Sequence, residues 1–105
     1  MIIQVNTDSN IEGNRELVQQ IKTVVANSLE YYGEQITRVE VHLSDENSDQ
    51  KSGTEDKRCL VEVRLAGLQP FAVTHEAATL ERAVDGAVEK LIRAIDTTLG
   101  RLDNR

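Results

Sequence analysis

The segment ITRVEVHLSDENSDQKSGTEDKRCLVEVRL, residues 36–65, decides the fold because both of its ends alternate with period two. Val39, Val41 and Leu43 fall on one face of the first end, and Arg38, Glu40 and His42 on the other. Cys59, Val61, Val63 and Leu65 then alternate against Arg58, Glu62 and Arg64. Alternation of this kind marks a half-buried strand, so the spacing predicts one strand over Ile36 to Ser44 and another over Cys59 to Leu65. The intervening residues 45–56 contain no aliphatic side chain and read as a flexible loop between strands. A sheet built on this pair has one apolar face and one face in water.

The rest of the chain must cover that apolar face. Ile2 to Val5 is short, apolar and β-branched, and the turn formers NTDSN follow it, which predicts a first strand and a loop. From about Asn14, Leu17, Ile21, Val24, Val25, Ser28 and Tyr32 recur at helical spacing, giving a helix of roughly five turns. Gly33 stands where a left-handed C-cap would end it. Tyr31 and Tyr32, at the end of this helix, are read as closing the core rather than stacking on bases. AGLQP at 66–70 makes a turn, Phe71 and Val73 begin a fourth strand, and Thr79 offers a side-chain oxygen as the N-cap of a last helix.

That last helix, TLERAVDGAVEKLIRAIDTTLGRLDNR over Thr79 to Arg105, carries sorted charge. At about 100° per residue, Leu80, Val84, Ala87, Val88, Leu91, Ile95 and Leu102 form an apolar stripe. Arg82, Gly86, Lys90, Arg93, Thr97 and Arg101 form a second stripe, and Glu81, Asp85, Glu89 and Asp96 take the opposite shoulder. Once the apolar stripe is buried, one flank is positive and one negative, and only the positive flank can approach a phosphate backbone without repulsion. Ordinary mixing of surface charge, for example Glu89 with Arg93, accounts for the same pattern without any ligand.

The element order is therefore β-α-β-β-β-α, an α+β fold: a four-stranded mixed sheet with two helices packed on one face. Strand one and strand two are expected to be parallel neighbours joined by a right-handed crossover, with strands two to four an antiparallel meander. Residues 1–105 are expected to form a single domain, with no internal repeat.

Composition narrows the function. The N-terminus lacks the basic start, apolar stretch and cleavage site of a secretory signal, and no apolar tract is long enough to span a membrane. With one cysteine, Cys59, no intrachain disulfide can form and nothing points to an oxidising compartment. A cytosolic, cytoplasmic protein is expected. The net charge of −6 argues against general nucleic-acid binding. Yet four of those six negative charges arise in residues 45–56, where Asp45, Glu46, Asp49, Glu55 and Asp56 face Lys51 alone. The last helix is locally neutral.

No catalytic constellation has a recognisable spacing, so no enzymatic role is expected. His42 and His75 lie on different strands with opposite facing, a poor metal pair. Cys59 alternates with core valines and reads as a small buried apolar residue. No glycine-rich phosphate loop is present, and neither a metal, a cofactor nor a small-molecule substrate is expected.

The element order, with LEYYGEQITRVEVHL at 29–43 and DGAVEKLIRAI at 85–95, resembles the hibernation-promoting factor and ribosome-associated translation inhibitor family, also described as sigma-54 modulation and S30AE-like proteins. The resemblance covers nearly the whole chain, and it implies a divergent short form, expected to lack the extra dimerisation domain of the family's long members. Ala83-Val84-Asp85-Gly86 stands for the family's central Ile-Asp-Gly region. Glu89-Lys90-Leu91-Ile92-Arg93-Ala94-Ile95 matches its acidic-Lys-Leu-x-Arg-x-Leu run. The resemblance implies a β-α-β-β-β-α protein that binds small-subunit rRNA of the ribosome near the decoding centre and keeps idle ribosomes inactive, without cofactor or turnover. It implies rRNA phosphate contacts at Lys90 and Arg93 by position, and at Arg82 and Arg101 by helical geometry. On the first helix only Arg15 and Lys22 remain of the family's exposed lysines.

A second reading belongs to another class: a family-fold protein-interaction or regulatory module that has lost ribosome binding. Its motive is the net acidity, the 45–56 loop, and the helix end Asp96-Thr97-Thr98-Leu99-Gly100-Arg101, where family members carry a lysine-rich run. Convergence of Arg15, Lys22, Arg82, Lys90, Arg93 and Arg101 into one groove between the helices would favour the rRNA reading. Their scatter among carboxylates would favour the second. A homodimer is compatible with either.

Overall fold

The alternation at 36–44 and 59–65 becomes the pleat of a sheet. The computed structural model describes residues 1–8, 15–45 and 56–103, the last three through their backbone alone. Its elements are β1 (Ile2–Thr7), α1 (Arg15–Leu29), a 3₁₀ turn (Glu30–Gln35), β2 (Ile36–Asp45), β3 (Lys57–Leu65), β4 (Phe71–Ala77) and α2 (Leu80–Asp103). Most of the acidic stretch read as a loop, residues 46–55, lies outside the described residues.

The strands lie in the order β1-β2-β3-β4. β1 runs parallel to β2, with Ile3 beside Val39 and Val5 beside Val41. β2, β3 and β4 form the antiparallel meander, with Val41 beside Val61 and Val61 beside Val73. Because side chains alternate between faces, this register gathers Val39, Val41, Leu43, Cys59, Val61, Val63 and Leu65 on one face, all buried. α1 packs over β1, and α2 packs over β3 and β4. Ile21, Val25 and Leu29 of α1 and Ala83, Val84, Ala87, Val88, Leu91 and Ile95 of α2 join the strand residues in one core.

α1 departs from the expected five turns. Its α-helical hydrogen bonding ends at Leu29, and the chain tightens into the 3₁₀ turn before β2. Gly33 does sit at the stop with positive φ, but at φ 53°, ψ −125° rather than in the left-handed helical region. Only a residue without Cβ occupies that conformation readily, and Ile36 N–H donates to the Gly33 carbonyl as the chain turns into β2. The two tyrosines also part company. Tyr32 is buried at 6% exposure while Tyr31 is 90% exposed, because neighbouring residues in a 3₁₀ turn point roughly 120° apart and only one can face the sheet.

α2 starts as expected, with Arg82 N–H donating to Thr79 Oγ1 at 3.1 Å, and it continues through Gly100 to Asp103. Where it crosses β4 it comes unusually close. His75 lies in register with Cys59 and therefore on the core face, and its imidazole sits directly under Gly86, where an added Cβ would overlap the ring. Gly86 is thus what lets the helix seat on β4.

Replacing Gly86 with alanine should remove a helix-propensity cost of about 1 kcal/mol and impose an overpacking cost of about 1–3 kcal/mol. Urea denaturation should show Gly86→Ala to be destabilising in the native background and stabilising when compared with His75→Ala alone. An equal effect in both backgrounds would show that the imidazole is not the obstacle.

Candidate nucleic-acid interface on the second helix

Burial of Val84, Ala87, Val88, Leu91 and Ile95 against the sheet fixes how α2 is rotated. The flank carrying Arg82, Lys90 and Arg93 is left in solvent, with all three residues exposed. This flank lies toward the β4 edge, since Lys90 Nζ donates to the Thr74 carbonyl at 2.8 Å. An ammonium has three donors, so two of them still face outward. Arg101 follows the same helical stripe, but its side chain lies outside the described residues.

Among the described residues, no ion pair engages Arg15, Lys22, Arg82, Lys90 or Arg93. The mixing of surface charge that could have explained the pattern, such as Glu89 with Arg93, is not formed. Two cations of the sheet behave differently. Arg38 Nε donates to Glu40 at 3.0 Å, a hydrogen bond that holds the Glu40 carboxyl below its usual range. Lys57 lies 3.2 Å from both Asp45 and Asp56, and those hydrogen bonds hold its ammonium above its usual range. The helix cations, together with Arg58 and Arg64 of the sheet, are therefore the ones left without an ion pair among the described residues.

The six candidate residues do not converge into one groove. The space between the helices is a cleft of about 760 Å³ whose lining includes Leu17, Ile21, Val24, Leu80 and Val84, with Glu16, Glu81 and Asp85 and no cation among the described residues. Arg15 and Lys22 do not line it; their helical positions put them on the flank of α1 turned away from α2. Arg82, Lys90 and Arg93 share a flank of their own. An apolar, acid-rimmed cleft separates the two basic sets. Sequence reasoning missed it because it depends on which flank of α1 faces which flank of α2.

Other chemistry finds little support. Cys59 is fully buried, and burial pushes its thiol up to about 12, which keeps it from acting as a thiolate nucleophile. His42 and His75 face opposite sides of the sheet, as the alternation predicts. Among the described residues no three His, Cys, Asp or Glu side chains form a group that could hold a metal, and no helix is long and apolar enough to cross a membrane. On the open sheet face, Arg38, Glu40, Glu62, Arg64 and Pro70 line a shallow dish of about 180 Å³ with mixed charge.

The chain thus combines a four-stranded mixed sheet, two helices on one face of it, and a cationic flank on the second helix without an ion pair among the described residues. The sequence profile described as Sigma 54 modulation protein / S30EA ribosomal protein matches residues 3–103. The chain belongs to this family. The fold is similar to the N-terminal domain of Protein Y from Thermus thermophilus, with TM-score 0.71, 23% identity, and coverage of 93% of this chain and 99% of that one. It is also similar to a ribosomal subunit interface protein from Coxiella burnetii, with TM-score 0.64, 16% identity and full coverage of both chains. At these identities the likeness is one of fold. No curated protein matches the chain in sequence.

Within this family fold, one polar contact ties the end of the α1 region to α2 and so fixes the acidic shoulder. Tyr32 donates its hydroxyl to Asp96 Oδ1 at 2.6 Å, and Tyr31 stands edge-on to it at a centroid distance of 5.3 Å. Burial first, and the Asp96 hydrogen bond second, push the Tyr32 hydroxyl up to about 12 from its ordinary 10.0. Its folded value lies above its unfolded value. The contribution to stability is therefore fully present below pH 10 and is lost as pH rises toward 12. Tyr32→Phe should cost about 1–2 kcal/mol at neutral pH and flatten the fall in stability over that alkaline window. Denaturation curves at a series of pH values check both, and an unchanged alkaline slope in the variant would count against this contact.

Proposed function

We propose that the chain is a ribosome-associated translation inhibitor that binds small-subunit rRNA near the decoding centre and keeps idle ribosomes inactive. The observation that carries this reading is a family match over residues 3–103 together with a flank of α2 whose cations have no carboxylate partner among the described residues. Lys90 and Arg93 are the principal phosphate contacts, Arg82 extends the flank toward the helix start, and Arg101 prolongs it at the other end. Arg15 and Lys22 lie on a separate flank of α1 and contribute a second, weaker contact. The mechanism is steric and electrostatic: a rigid helix presents fixed cations to phosphates and the folded domain fills space that tRNA or mRNA would use. A factor of this kind works in the cytoplasm and turns nothing over.

The second reading, a protein-interaction or regulatory module that has lost the ribosome, is supported by the acid-rimmed cleft and by the separation of the two basic sets. The two differ in what the cations do. On the ribosome reading, the chain co-sediments with small subunits at low salt, and binding weakens as salt rises with a slope set by the number of phosphates neutralised. Lys90→Glu with Arg93→Glu should abolish co-sedimentation. Single replacement of either residue by alanine should lower the log–log salt slope by about 1. Absence of binding at low salt, or binding indifferent to the double reversal, would remove the ribosome reading and leave the module.

A further inference from the structure

The cleft between α1 and α2 combines features that the rRNA reading does not use. Its floor is aliphatic, formed by Leu17, Val24, Leu80 and their neighbours, and Val24 is 41% exposed there. Three carboxylates, Glu16, Glu81 and Asp85, stand around it, all on exposed residues. Both helices start at this end, and each N-terminus supplies about half a positive charge, so Glu16 and Glu81 in the first turns partly offset their own helices. Asp85 lies a turn further on, and the cleft keeps a net negative rim of about two charges.

We propose that this cleft docks a basic protein segment: an aliphatic side chain enters between the helices while flanking Lys or Arg residues meet Glu16, Glu81 and Asp85. Charge complementarity selects this occupant. A phosphate backbone would face three carboxylates and no cation among the described lining residues, so nucleic acid is repelled. A second copy of the chain fits poorly, because its α2 cations Arg82, Lys90 and Arg93 share their flank with Gly86 and Thr97 and with no aliphatic residue to serve as anchor, while Arg58 and Arg64 of its open sheet face stand among Glu76, Glu62 and Glu40. A basic segment with an aliphatic anchor supplies both halves of what the cleft lacks. α2 then works as a divider, with phosphates on its Lys90 flank and basic protein on its Asp85 shoulder. Because no residue of the Lys90 flank takes part, the inference stands or falls apart from the ribosome reading.

The test is an amide chemical-shift titration of the full chain with a short Lys- and Arg-rich peptide carrying spaced leucines. Two control peptides accompany it, one with the basic residues changed to glutamate and one with the leucines changed to serine. Shifts are expected at Gln20, Val24, Leu80 and Val84, with both controls at least about ten-fold weaker. Glu81→Lys with Asp85→Lys should reduce affinity by about ten-fold or more, the effect of reversing rim charges that pair across a binding surface. Should that variant fail to fold, Val24→Ser at an exposed position carries the test and should weaken binding several-fold. Equal binding of either control peptide would overturn the proposal. So would shifts confined to the Arg82, Lys90 and Arg93 flank, concentration-dependent shifts of the cleft residues without peptide, or cleft shifts on adding a single-stranded RNA.

Discussion

The surface chemistry of this protein depends on the burial of the apolar stripe of α2 against β3 and β4. Leu91 and Ile95 are completely buried, with Ala83, Ala87, Val84 and Val88 filling the space around them. Each large aliphatic side chain taken out of water contributes about 1.5–3 kcal/mol, whereas an exposed ion pair is worth about 1 kcal/mol at most. Packing therefore decides how the helix is rotated, and the charged residues go where that rotation leaves them. Gly86 strengthens the constraint, since the His75 ring occupies the space a larger residue would need.

From that rotation follows the sorting of charge. The shoulder with Glu81, Asp85 and Asp96 turns toward α1, where Glu81 and Asp85 rim the cleft and Asp96 accepts the Tyr32 hydroxyl. The flank with Arg82, Lys90 and Arg93 turns toward the β4 edge, and Lys90 is steadied there by the Thr74 carbonyl. A chain with net charge −6 can in this way still offer a local cationic surface, because most of its acids, Glu89 beside Lys90 excepted, are placed elsewhere and their repulsion is screened beyond about 10 Å at moderate salt. The net charge describes the whole molecule, and a phosphate on the Lys90 flank meets only one side of it.

Most of the fold was legible in the sequence because period and burial are directly coupled. The alternation of Val39, Val41 and Leu43 and of Cys59, Val61 and Val63 could be satisfied by only one sheet face. The stripes of α1 and α2 then had only that face to cover. Thr79 as N-cap was readable from its hydroxyl. The end of α1 was not, because Tyr32 continues the helical spacing even though the backbone has already tightened into a 3₁₀ turn by Glu30. Tyr31 and Tyr32 could not be told apart by residue type alone; the turn geometry separates them. The site was legible in part. Periodicity gave the stripe containing Arg82, Lys90 and Arg93, but whether Arg15 and Lys22 would meet it depends on helix-to-helix packing that no single stripe encodes.

The Lys90 flank of α2, and not the space between the helices, is the surface proposed to meet rRNA. Amide chemical-shift mapping of the chain with a decoding-region fragment of small-subunit rRNA tests it most directly. The perturbed amides should cluster at Arg82, Gly86, Lys90, Arg93 and Thr97, while those of Gln20, Val24, Leu80 and Asp85 stay in place. Perturbations centred on the cleft residues, or none on either flank at low salt, would contradict it.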